Sequence, residues 1–136
     1  MDILVGVILG LMAVGSSRLV GFDRERSFFP VLLIVIATYY LLFAVMGKQP
    51  GALEKETMAA AVFAGIAMVA YKRSLWLVPL GLAAHAIFDV VHGELIVNPG
   101  VPDFWPTFCL GFDLVAAAYL SVLLLRKELL AVKALA

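Results

Sequence analysis

Charge is scarce in this sequence and has no preferred sign. Ten basic residues are matched by ten acidic ones, and together they make up 15% of 136 residues, against about a quarter in soluble domains. Without a basic excess there is no electrostatic footprint for nucleic acid, so no nucleic-acid partner is expected. Cysteine is almost missing. Cys109 stands alone, which rules out an internal disulfide and any multi-cysteine metal knuckle and leaves a small packing residue. The positive leader of a signal peptide is missing too. Asp2 precedes the apolar stretch 3–14, which has no small-residue cleavage site, so this stretch is read as a retained first span.

What fills the sequence instead is hydrocarbon, at 64% apolar residues, well above the roughly one-half of soluble domains. Apolar runs near the length of about 20 residues that a bilayer crossing needs fall at 3–20, 28–46, 54–71, 74–96 and 104–125. The third is clean only over 57–71, so it must begin within 53–56 or tilt in a thinned bilayer. Turn chemistry marks 47–51 and 97–103. The expected fold is all-α, a transmembrane bundle of about five helices in a single integral membrane domain over 1–136, multi-pass in a plasma (inner) membrane. The tail 126–136 continues a helical pattern and is expected to lie along the surface.

Lys and Arg mark the cytoplasmic side. With the N-terminus outside and the C-terminus cytoplasmic, the inner side receives Arg18, Arg24, Arg26, Lys72, Arg73, Arg126, Lys127 and Lys133, and the outer side only Lys48 and Lys55. Small residues let helices approach closely in lipid. Gly6 with Gly10, and Ala61 with Gly65, form such pairs; seams within the chain are the first expectation, and a homo-oligomer contact the alternative. Trp76 and Trp105, near opposite ends of their segments, suit interfacial anchors.

Four residues do not belong in lipid. The fourth segment carries His85, Asp89 and His92, and the fifth carries Asp113. At about 100° per residue, Asp89 lies about 40° to one side of His85 and His92 about 20° to the other, so the three share a face. Ionisable groups at membrane depth are costly and mark functional sites by default. Counted from the outer edge, His92 is about 6 Å deep, Asp89 about 10 Å, Asp113 about 13 Å and His85 about 16 Å. All four are therefore expected in one pocket. Two imidazoles and two carboxylates make a ligand set for zinc, iron or manganese with room for a water. His85, His92 and Asp113 are the candidate metal ligands, with Asp89 as a fourth ligand or the catalytic base. Cys109, one turn from Asp113, is placed to face the same pocket.

Two alternatives stay open: a polar staple between the two segments, and a proton or metal-ion path used by a carrier or accessory subunit. Glu54 and Glu56 are expected as solvated interfacial acids. Tyr39 and Tyr40 sit at the depth of Asp89, as core aromatics or as phenols bonded to a ligand carboxylate. For a metal centre the expected chemistry is hydrolysis, or another transformation, of a lipid or hydrophobic small molecule from the outer leaflet.

The run 85–92, His-Ala-Ile-Phe-Asp-Val-Val-His, followed by 101–109, Val-Pro-Asp-Phe-Trp-Pro-Thr-Phe-Cys, and by Asp113, resembles a family of small bacterial integral membrane proteins of unknown function. The resemblance covers the last two segments. It implies a helical membrane protein with these histidines and aspartates as its signature, and no particular activity. A looser similarity is to seven-helix membrane zinc amidohydrolases of the ceramidase and adiponectin-receptor type. This chain has fewer spans and lacks counterparts of their serine and third histidine, so no catalytic residue is carried over from them.

Overall fold

The computed structural model describes residues 1–129, which form five α-helices and no strand. Helix α1 (Asp2–Val20) stops where Gly21 turns to φ 91°, and the 3₁₀ turn Phe22–Arg24 follows. Helix α2 is Phe28–Gly47, and α3 (Ala52–Lys72) starts after Gly51 at φ 77°. Glycine adopts this left-handed backbone without a Cβ penalty, which is how two chain reversals are made in few residues. Helix α4 is Leu77–Leu95, and α5 (Trp105–Arg126) carries Pro106 in its first turn, where a missing N–H costs nothing. The helix expected to continue through 126–136 ends at Arg126 within the described residues. Lys127 turns to φ 55° and Glu128 N–H caps Leu123 O; 130–136 lie outside the described residues.

Pairwise contacts fix how the helices run. Gly6 faces Phe108 and Gly10 faces Phe112 and Val115, so α1 and α5 point the same way. Leu33 meets Gly81 while Tyr40 meets Asp89, so α2 parallels α4. Glu56 meets His92 while Ile66 meets Gly81, so α3 opposes α4. Direction thus alternates from helix to helix. Helix α4 sits in the middle, against α2, α3 and α5, and α1 packs on α5.

Backbone contact is closest between α1 and α5. A Cβ at Gly6 would lie 2.0 Å from Phe108 O, and one at Gly111 would lie 2.5 Å from Ile3 O. The pair Ala61 and Gly65 does not form a seam within the chain: Ala61 is exposed and nothing lies within 4 Å of a Cβ at Gly65. The inward stripe of α3 is Ala52, Glu56, Ala60, Phe63, Ala67 and Ala70, steps of three and four that mark another side of the helix.

The outside is apolar. Leu11, Met12, Met58, Val62, Ile87 and Leu125 are each more than half exposed, more hydrocarbon than a protein surface in water carries in contiguous patches. Helices α1, α2 and α5 are long and apolar enough to cross a membrane, as expected of a membrane protein. Helices α3 and α4 have 21 and 19 residues, but Glu56, His85, Asp89 and His92 interrupt their apolar faces and turn inward.

The two ends differ. One gathers Arg18, Asp23, Arg26 and Arg126. There the fully buried Asp23 accepts from Tyr119 Oη at 2.7 Å and from Arg18 at 3.3 Å, Arg18 reaches Glu128 at 2.8 Å, and Arg26 donates twice to Tyr71 O. The opposite end carries the α4–α5 loop, which packs on the last turn of α2: a Cβ at Gly100 would lie 1.9 Å from Phe43 O.

Candidate metal centre

Helix α4 presents one buried face at its loop-end half, with His85 at 0%, Asp89 at 1% and His92 at 2% exposure. Helix α5 brings Asp113, fully buried, to the same level. His85 Nδ1 donates to Asp113 Oδ2 at 2.8 Å, and Asp89 Oδ2 is 3.3 Å from the same nitrogen. The ligand atoms of His85, Asp89 and Asp113 lie within 4.8 Å of one another. Zinc bonds of about 2.0–2.1 Å give a tetrahedral edge of about 3.4 Å; the two separations here are hydrogen-bond distances, and a cation bound in this place would replace the proton on His85 Nδ1.

Tyr40 on α2 holds this triad in place. Its hydroxyl donates to Asp89 Oδ1 at 2.6 Å, which leaves Asp89 Oδ2 turned toward His85. Phe63 closes the site with a T-shaped contact to His85 at 4.7 Å. Tyr39, its neighbour in sequence, is 40% exposed and packs on Trp105 at 5.1 Å instead. Tyr40→Phe is expected to leave Asp89 Oδ1 buried without a donor and to lower stability by about 1–3 kcal/mol, whereas Tyr39→Phe stays within about 0.5 kcal/mol. Unfolding of the two variants side by side in detergent checks this.

The structure gathers three of the four expected ligands and sets the fourth apart. His92 Nε2 donates to Glu56 Oε1 at 2.7 Å rather than joining the triad. Its angle on the helix suits the shared face, but seven residues separate it from His85, about 10 Å of helical rise. Glu56 is accordingly no solvated interfacial acid. It is 1% exposed and accepts a second bond from Asn98 Nδ2 at 2.8 Å. Glu54 is exposed. Cys109 is buried, but it lines an apolar cleft between α2 and α5 with Tyr39 and Phe112 and is outside the triad. Trp105 joins an aromatic cluster with Tyr39 and Phe43, its indole N–H buried without a partner; Trp76 is 45% exposed at the start of α4.

Two imidazoles, His85 and His92, face three buried carboxylates, Asp89, Asp113 and Glu56, and among the described residues no Lys or Arg pairs with any of them. Asp89 Oδ2, Asp113 Oδ1, Glu56 Oε2 and His85 Nε2 are buried without a hydrogen-bond partner. Buried polar groups left this way are costly and demand an explanation. His85, Asp89 and Asp113 could hold a metal ion, which would offset the two aspartates. No family model, curated protein or solved structure matches this chain.

Proposed function

We propose that this chain is a multi-pass protein of a bacterial inner membrane that binds a divalent cation, zinc, iron or manganese, through His85, Asp89 and Asp113. The observation that carries this reading is the triad itself: three ligand atoms converging within 4.8 Å, with unsatisfied oxygens and, among the described residues, no Lys or Arg paired with them. Three protein ligands with a free fourth position is the pattern of hydrolytic zinc sites, where the metal acidifies a bound water. Asp89, its Oδ1 held by Tyr40, is the third ligand in such a site. The proposed substrate is a lipid or hydrophobic small molecule reached from the outer leaflet. The basic end, with Arg18, Arg26 and Arg126, is proposed to face the cytoplasm, leaving the N-terminus and the α4–α5 loop outside. Kinship with the small bacterial membrane proteins that the run 85–92 resembles belongs to the same proposal.

Metal analysis of the protein purified in detergent tests the reading, with a cation per chain expected. Because a ligand bound only to the folded state adds stability, a chelator is expected to lower the melting temperature by the equivalent of about 3 kcal/mol for a metal held at 100 times its Kd. A metal-free preparation whose melting is indifferent to both chelator and added zinc overturns the metal centre and leaves a polar staple. Release of fatty acid or headgroup from vesicles distinguishes an enzyme from an ion carrier, which instead produces flux in liposomes.

A further inference from the structure

The triad is sealed, with its three side chains at 0–1% exposure, and a chain of side-chain contacts, Asp89 to Tyr40 to His92, leads from it toward the loop end. We propose that the cavity at the loop end is the loading site for the cation, with His92 as its floor and receiving ligand. This rests on the triad being a metal centre and adds to it the path of entry.

The cavity has a volume of about 560 Å³ and opens between the end of α4 and the α4–α5 loop, within the usual range of roughly 300–1,000 Å³ for ligand sites. His92 and Asn98 lie at its inner side, and Val97, Val101 and Asp103 line it further out. Asp103 is the one carboxylate in the lining, and no Lys or Arg contributes to it. A cleft with charge of one sign concentrates counter-ions, so this mouth favours cations and disfavours anions. At its floor His92 Nε2–H donates to Glu56 Oε1, so in that tautomer Nδ1 is the ring nitrogen that carries a lone pair. An imidazole oriented by a carboxylate through one nitrogen, with the other free, is the arrangement of metal-ligating histidines. Asn98 fixes Glu56 in turn, and Glu56 Oε2 is buried and unpartnered.

From His92 inward the connection to the triad runs through packed side chains, Tyr40 and then Asp89, each 1% exposed. The His92 ring stacks on Tyr40 at 4.1 Å, and the Tyr40 hydroxyl bonds Asp89 of the triad at 2.6 Å. Asp89 lies just under one helical turn, about 4.5 Å of rise, below His92. A cation released by His92 therefore meets an Asp89 carboxylate next.

Cobalt uptake by metal-free protein in nanodiscs, followed by its visible absorption, tests the route. The parent is expected to take up a cation per chain. His92→Ala is expected to reach the same final content about tenfold more slowly, and Asp103→Asn to slow uptake and flatten its salt dependence. Val101→Trp fills the mouth without touching the buried network and is expected to slow uptake as well, which keeps the test decisive if His92→Ala does not fold. Parent-like rates in Val101→Trp and Asp103→Asn overturn the route while leaving the triad standing. A lower final content in folded His92→Ala makes His92 a resident ligand and also overturns it. A parent that takes up no cobalt overturns the triad reading, and the route with it.

Discussion

Replacing His85 by alanine is expected to empty the centre of metal and to destabilise the bundle more than any other single change in the polar network. The imidazole lies between Asp89 Oδ2 and Asp113 Oδ2, at 3.3 and 2.8 Å, and nothing else with a positive or donating group reaches either oxygen. Removing one member of such a buried set leaves uncompensated charge, at a cost of about 3–5 kcal/mol. Two measurements on one preparation separate the effects: metal per chain, and melting with the chelator already present. If the carboxylates are the source of the instability, adding Asp113→Asn to His85→Ala recovers part of the stability but none of the metal. A His85→Ala protein that still carries a cation per chain removes His85 from the centre.

The second large effect is expected at the α1–α5 crossing, from a single methyl group. At Gly6 the new Cβ would stand 2.0 Å from Phe108 O and 2.9 Å from Phe108 C, both backbone atoms that cannot rotate aside. Gly6→Ala must therefore part the two helices, and overpacking of this kind costs about 1–3 kcal/mol. Gly10→Ala meets the Val115 side chain at 3.1 Å, which can shift, so its cost is smaller. At Gly65 the methyl meets nothing within 4 Å, and Ala is expected to stabilise α3 by about 0.5–1 kcal/mol through helix propensity. Unfolding of the three variants in one detergent checks the order. Equal effects at Gly6 and Gly65 contradict the close approach of α1 to α5.

Hydropathy carries the fold because a bilayer leaves helices as the way to satisfy a spanning backbone. Apolar length and turn residues locate five segments, and the observed helices begin and end within a few residues of them. The triad is legible because His85 and Asp89 are four apart on one helix and Asp113 is level with them on the next. The misplacement of His92 comes from reading angle before rise. Glu56 was legible and overlooked: it occupies the inward stripe between Ala52 and Ala60, so its period, rather than its nearness to the segment end, gives its burial. Asn98 carries no such signal. It stands in an Asn-Pro turn, and only the folding of that loop back onto Tyr40 O and Glu56 makes it part of the network. Asp23, hidden in a run of surface-like charges, is buried by Tyr119, a residue 96 positions away, which no local pattern reveals.

The pairing of α1 with α5 also sets an order of events during synthesis. Chains are extended from the N-terminus, so the first helix enters the membrane before its partner exists. At 5–20 residues per second the wait from Gly6 to Phe108 is about 5–20 s. Throughout it, the glycine face of α1 is open to lipid or to another nascent chain. The same late helix brings Asp113, so neither the α1 seam nor the triad can close until the last span is inserted. Helices α2, α3 and α4 can meet earlier, and with them Tyr40, Asp89, Glu56 and His92. A chain released before residue 105 thus presents a three-helix core with an unfinished centre and a stray first helix, the species a membrane quality-control protease would have to recognise.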